Sequence, residues 1–412
     1  MQKNKENVEN SILQVPFFIM IFFSVIHLSV WIQLDIGGRA INLGFINQVA
    51  SVLYLGVLYL WALFINHKRW IQLTALGMGC LSAICIAVSL ADFGNSANDA
   101  LCTGSAILTL LYVFENTQYL LKLVKKYDKL LSIGIWMYVI VSFVLFIFFP
   151  QKQTQWGEGT YFFGHRYAST CGLVMIIISL KLMNRPKHTY IYWTLLLASY
   201  AICYWTGARV YMLSGLGTMY AILFTFEKDT KKFIIQCVAV TLATVLLFFV
   251  SSGVTKYVDI AENTAVFLQE KEDAGETVNE SYYWVNGLSH GRPEMWERCW
   301  TSYEKLPLVN KLIGSGNKYI YDHNKGVNSH TDYLNILHYH GLIGLSVYLF
   351  FFIGYVVHYW RKKNLHMILL IGFWGIWFVL ALLNGYMNYT ANMMSVPYIA
   401  AMAAWRKDHM NI

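Results

Sequence analysis

Apolar residues in this chain gather in long runs; they neither alternate with polar residues nor recur on one narrow helical face. The runs fall near residues 15–34, 45–65, 71–91, 100–121, 130–149, 168–184, 189–206, 209–226, 233–251, 341–359, 365–383 and 390–405. Most approach the roughly 20 residues that a helix needs to cross a bilayer core of about 30 Å. Inside hydrocarbon a segment must satisfy its own backbone N–H and C=O groups, so each run predicts a helix. The pattern predicts an all-α, polytopic integral membrane protein with about twelve transmembrane helices. The two runs flanking Gly207 are separated by only a tight turn, and that pair also reads as one broken helix. The run 15–34 follows Lys3 and Lys5 as in a signal peptide. It is longer than such a segment's apolar core and no small-residue cleavage site follows it, so it reads as the first span.

Composition narrows the class. Of 412 residues, 57% are hydrophobic and 13% charged, against roughly 45–50% and 25% in soluble domains. A conventional soluble enzyme is excluded. Six of the seven cysteines lie inside apolar runs and only Cys299 lies in a polar stretch, so no disulfide framework is expected.

The net charge of +8 is explained by its placement. Lys68, Arg69, Lys122, Lys125, Lys126, Lys129, Lys181, Arg185, Lys187, Lys228, Lys231, Lys232, Arg361, Lys362 and Lys363 share one side with both termini. The short loops opposite hold only Arg39, Lys152, Arg166 and Arg209. Positive residues are retained in the cytoplasm, so both termini are expected there. No nucleic-acid partner is expected, because the basic residues follow the loops and form no single face.

Three regions result: residues 1–251 with spans one to nine, a large extracytoplasmic loop at 252–340, and residues 341–412 with spans ten to twelve. The loop carries twelve acidic residues against eight basic ones and predicts an amphipathic helix around Asp259 to Lys271. No internal repeat of the kind many transporters carry is visible.

Four clusters with chemical potential share the extracytoplasmic side. They are Tyr161 to Ser169, with His165 and Arg166; Thr206 to Arg209; Ser289 to Trp296, with His290, Arg292 and Glu294; and His330 to Leu334, continuing to Gly341 and Gly344. Charge at a membrane edge is costly without water, a partner or a ligand. Arginine offers a planar fork that matches phosphate oxygens. Arg166, Arg209 and Arg292 are therefore candidates for binding an anion such as pyrophosphate, while snorkelling to lipid phosphates explains Arg166 or Arg209 alone equally well.

Gly291-Arg292, Trp296, Pro307, Gly314-Ser-Gly316, His330-Thr-Asp-Tyr-Leu334 and Gly341-Leu-Ile-Gly344 together resemble the signature of the O-antigen polymerase and O-antigen ligase family of bacterial envelope proteins. The close match covers about residues 289–350, and the multi-span context with a large late loop agrees over the chain. The resemblance implies a GT-C-like membrane glycosyltransferase that uses a saccharide linked to a polyprenyl pyrophosphate such as undecaprenyl pyrophosphate. It implies a bacterial inner-membrane location and an extracytoplasmic active site. By similarity Arg209 matches an arginine at a span start, although Gly-Ala-Arg stands where Ser-Arg-Gly is usual. Thr331 stands where the family often has asparagine.

The residues allow a matching chemistry. Cations stabilise a departing pyrophosphate without a metal, and histidine suits removal of a hydroxyl proton near neutrality. His330 is the expected catalytic base, with Arg209, Arg292 and Arg166 on the pyrophosphate and His165, Asp332 and Trp296 in support; no cofactor or metal is expected. Asp332 and Glu294 also read as structural ion-pair partners of Arg292, and His165 as a structural histidine. His338 and His340 lie two apart and so on different helix faces, which argues against zinc. Asn384, Asn388 and Asn392 recur every four residues, a pattern commoner in helix packing. The expected activity is polymerisation of lipid-linked oligosaccharide repeat units into capsule, exopolysaccharide or O-antigen, with inversion. A polysaccharide chain-length regulator and membrane lipids are candidate partners. The alternatives are a ligase serving another acceptor and a flippase or transporter of the same saccharide.

Overall fold

The computed structural model describes residues 12–19, 33–36, 39–42, 45–88, 93–148, 164–184, 187–205, 209–250, 253–274, 279–289, 291–324, 329–363 and 367–383. Helix α1 covers residues 12–19. A hairpin follows, β1 (Gln33–Ile36) antiparallel to β2 (Arg39–Asn42), with Ile36 opposite Arg39. The remaining described elements are helices, so the all-helical expectation holds apart from this hairpin, which replaces the last residues of the expected first span.

Residues 20–32 of the first run lie outside the described residues, and among the described residues helices occupy the apolar runs. They are α2 (Phe45–Leu60), prolonged by one wider turn to Ile65, α3 (Arg69–Val88), α4 (Phe93–Lys126), α5 (Asp128–Phe148), α6 (Gly164–Met183), α7 (Thr189–Trp205), α8 (Arg209–Phe226) and α9 (Thr230–Val250). Among the described residues three helices are long and apolar enough to cross a membrane, or four if α4 and α5, bent by 79° at Tyr127, count as one span. Four shorter apolar helices accompany them. The chain is thus a helical protein with helices suited to a bilayer, while the run 390–405 lies outside the described residues.

Outward faces agree with a lipid surround. On α9, Ile235, Leu246 and Phe249 are about two-thirds exposed, as expected where lipid takes the place of a packed neighbour. The interior is apolar with isolated polar ties. Lys181 is buried and donates to Asp128 O at 2.7 Å while pairing with the Asp128 carboxylate at 2.8 Å, which joins the ends of α5 and α6. In α4, Asn116 leaves helical geometry and its Nδ2 turns back to Tyr112 O at 2.8 Å.

The segment between the apolar blocks is also helical: α10 (Gly253–Asp273), α11 (Glu280–Leu288), α12 (Arg292–Glu304), α13 (Leu308–Ile313) and α14 (Asn317–His323). The helix expected around Asp259 to Lys271 is α10, which packs on α11. Then come α15 (Asp332–Lys363) and α16 (Met367–Leu383). Helix α15 is two helices joined at Gly341, whose φ of 66° and ψ of −169° no helix contains. There the backbones of α13 and α15 touch. A Cβ on Gly314 would stand 2.2 Å from Tyr339 O, and one on Gly341 2.3 Å from Leu312 O.

Candidate functional site

The starts of α12 and α15 meet. Gly291 caps α12 at φ 75°, a conformation that only glycine adopts readily, and Arg292 and Pro293 follow at the first helical positions. Glu294 in that first turn complements the helix dipole and forms an ion pair with Arg298. Arg298 Nε also donates to the buried Asn324 at 3.1 Å. One turn on from the cap, Trp296 Nε1 donates to Ser329 O at 3.0 Å and ties α12 to the residue before His330.

His330 lies at φ 51°, the one residue other than glycine with positive φ among the described residues. Its neighbours impose that conformation. Ser329 N donates to Asn335 Oδ1 at 3.1 Å, and Ser329 Oγ lies 2.7 Å from the same oxygen and 2.8 Å from Thr331 O. Thr331 N donates to Ser329 Oγ at 3.2 Å, and Thr331 O accepts from Asn335 N as the first bond of α15. Strained backbone of this kind costs about 1–3 kcal/mol and persists only where surroundings overdetermine it.

Burial pushes the His330 imidazole below its ordinary pKa of 6.5, and the Arg292 charge pushes it the same way. The imidazole is therefore a neutral proton acceptor at neutral pH, held beside a permanent cation. Asp332, 1% exposed, opens α15 two residues on. The structure thus brings together four of the expected site residues, Arg292, Trp296, His330 and Asp332, at one helix junction. His165 and Arg166 lie in the first turn of α6 and Arg209 begins α8, but their side chains lie outside the described residues, as do His290, Asn384, Asn388 and Asn392.

His338, by contrast, is packed as a structural residue. His338 is buried, with Nε2 2.9 Å from Cys299 O and its ring against Tyr303 and Tyr319. Burial pushes the Cys299 thiol up to about 12, which disfavours the thiolate at neutral pH. Sequence reasoning missed the Ser329–Thr331–Asn335 frame. Its signal was a serine two residues before a helix-opening threonine with an asparagine one turn later.

A guanidinium at the first turn of a helix can hold an anion, and a neutral imidazole next to it can accept a proton from a hydroxyl. Compared with known proteins, the chain matches no family model and no curated protein.

Proposed function

We propose that this protein is an integral-membrane glycosyltransferase that polymerises polyprenyl-pyrophosphate-linked oligosaccharide repeat units. The reading takes the chain as a GT-C-like protein of about twelve spans. Both termini are cytoplasmic and the α12/α15 junction faces outward across a bacterial inner membrane. The observation that carries it is the α12/α15 junction, where the Trp296 hydrogen bond to Ser329 holds the start of α12 against His330, and where burial, with the Arg292 charge adding to it, keeps the His330 imidazole neutral.

In the reaction, the acceptor hydroxyl oxygen forms a bond to the anomeric carbon as the bond from that carbon to the pyrophosphate oxygen breaks. The hydroxyl proton passes to His330, and the polyprenyl pyrophosphate leaves with the bonding pair. Arg292, with Arg209 and Arg166 as proposed partners, stabilises the growing negative charge. Direct displacement inverts the anomeric centre. Trp296 and Asp332 support the base, the first by holding Ser329.

Purified protein in detergent, given lipid-linked repeat units alone, is expected to produce a ladder of longer chains. A requirement for a second acceptor would identify a ligase. Absence of any product in detergent, together with movement of the saccharide across vesicles, would identify a transporter.

A further inference from the structure

Helix α13 falls within the stretch that the sequence assigns to a water-facing loop, yet Leu308 is 72% exposed, Val309 63% and Leu312 39%. Three large apolar side chains on one short helix form an outward surface that no described residue covers. Their height relative to a bilayer follows from α15. Arg361, Lys362 and Lys363 close that helix. About 20 residues at 1.5 Å each lead back from Trp360 to Gly341, which is roughly the 30 Å of a hydrocarbon core. Gly341 therefore stands at the opposite edge of that core, and Leu312 touches it backbone to backbone. Just beyond Gly341, the exposed Leu342 and Ile343 begin the lipid-facing surface of the span, so the apolar face of α13 adjoins it.

We propose that α13 is an interfacial membrane anchor. Leu308, Val309 and Leu312 enter the boundary between headgroups and acyl chains, and Lys305 and Lys311 reach the lipid phosphates. The anchor is coupled to the candidate site, because Tyr303 of α12 donates to Lys311 O at 2.9 Å and Ser315 N donates to His338 O at 2.8 Å. It thereby sets the height of the α12/α15 junction above the bilayer. The proposal rests on the membrane reading of the helices and not on glycosyl transfer, so either can fail without the other.

The test uses the full chain in phosphatidylcholine vesicles, with p-azidophenylalanine at position 308 or, separately, 309 coupled to an environment-sensitive dye. Glu272, exposed on α10, is the control position. Blue-shifted emission at 308 and 309, quenched by nitroxide-labelled lipids at a depth of about 5–10 Å, is expected, with water-like emission at 272. Water-like emission at both anchor positions would overturn the proposal. So would blue-shifted emission that lipid nitroxides fail to quench, which would mean that another protein surface covers α13.

Discussion

Trp296 and Ser329 are joined by an indole-to-carbonyl hydrogen bond of 3.0 Å, which ties α12 to the residue before the strained His330 at the foot of α15. Under the proposed mechanism, the tryptophan acts through position. Trp296→Phe keeps the aromatic bulk and removes the donor, a loss of about 0.5–1.5 kcal/mol. Turnover is expected to fall about twofold to tenfold, with an altered acidic limb of the pH–rate profile. A purely structural tryptophan would lower the melting temperature and leave that limb unmoved. Turnover on lipid-linked repeat units across pH, with a melt in detergent, separates the two.

The coupling of Arg292 to His330 predicts a specific pH response. With the folded pKa below 6.5, the base is neutral at pH 7, and activity falls only as pH drops through the lowered value. Stability follows the same window. The unfolded imidazole takes up a proton below about 6.5 while the folded one does not. This contribution is therefore complete above that pH and is lost as pH falls towards the folded value. Arg292→Gln removes the neighbouring charge, so the acidic limb should move to higher pH. Arg292→Lys should leave the limb near its original place yet lose most turnover, because the bidentate fork is gone. An unmoved limb in Arg292→Gln would remove the electrostatic link between the two residues.

The helices were legible because a bilayer demands long apolar runs; α9 matches its expected run to within three residues at either end. The hairpin at Gln33–Asn42 was missed although Gly37-Gly38 between apolar-polar alternations is a turn signal, because the apolar run before it extended the expected span. At the site, Arg292, Trp296, His330 and Asp332 were readable as residue types in a spacing. Their support was not. The left-handed backbone of His330 depends on Asn335 reaching back to Ser329, a contact that no pattern of polarity encodes.

The paired glycines at the α13/α15 contact allow a stability prediction. A methyl group on Gly314 or Gly341 would meet backbone at 2.2 or 2.3 Å, and backbone cannot swing aside as a flexible side chain does. Both positions also have positive φ. Gly341→Ala and Gly314→Ala are each expected to cost about 1–3 kcal/mol from backbone conformation, with the clash in addition. Gly354→Ala, where a methyl group meets nothing within 4 Å on the same helix, is the control. Melting curves in detergent should rank the two contact variants well below the control. Equal curves would mean that the contact is dispensable.

His330 and His338 lie eight residues apart and are expected to fail in opposite ways when replaced. His330 occupies a left-handed conformation that asparagine tolerates better than most residues. His330→Asn should therefore fold and melt like the parent or slightly above it, since less strain is stored. Without a group to accept the acceptor's proton, its rate should fall by about 10²–10⁴. His330→Gln, which keeps a polar side chain but offers no basic nitrogen, should lose as much. His338 instead packs among aromatic rings and meets Cys299 O, so His338→Ala opens a cavity between α12 and α15. That change should lower the melting temperature while the folded fraction retains most of its turnover. The decisive measurement is rate per folded molecule set against melting temperature for the three variants. Polymer at the parent rate from His330→Asn, or a loss of rate that tracks loss of stability in all three, would leave His330 a structural residue.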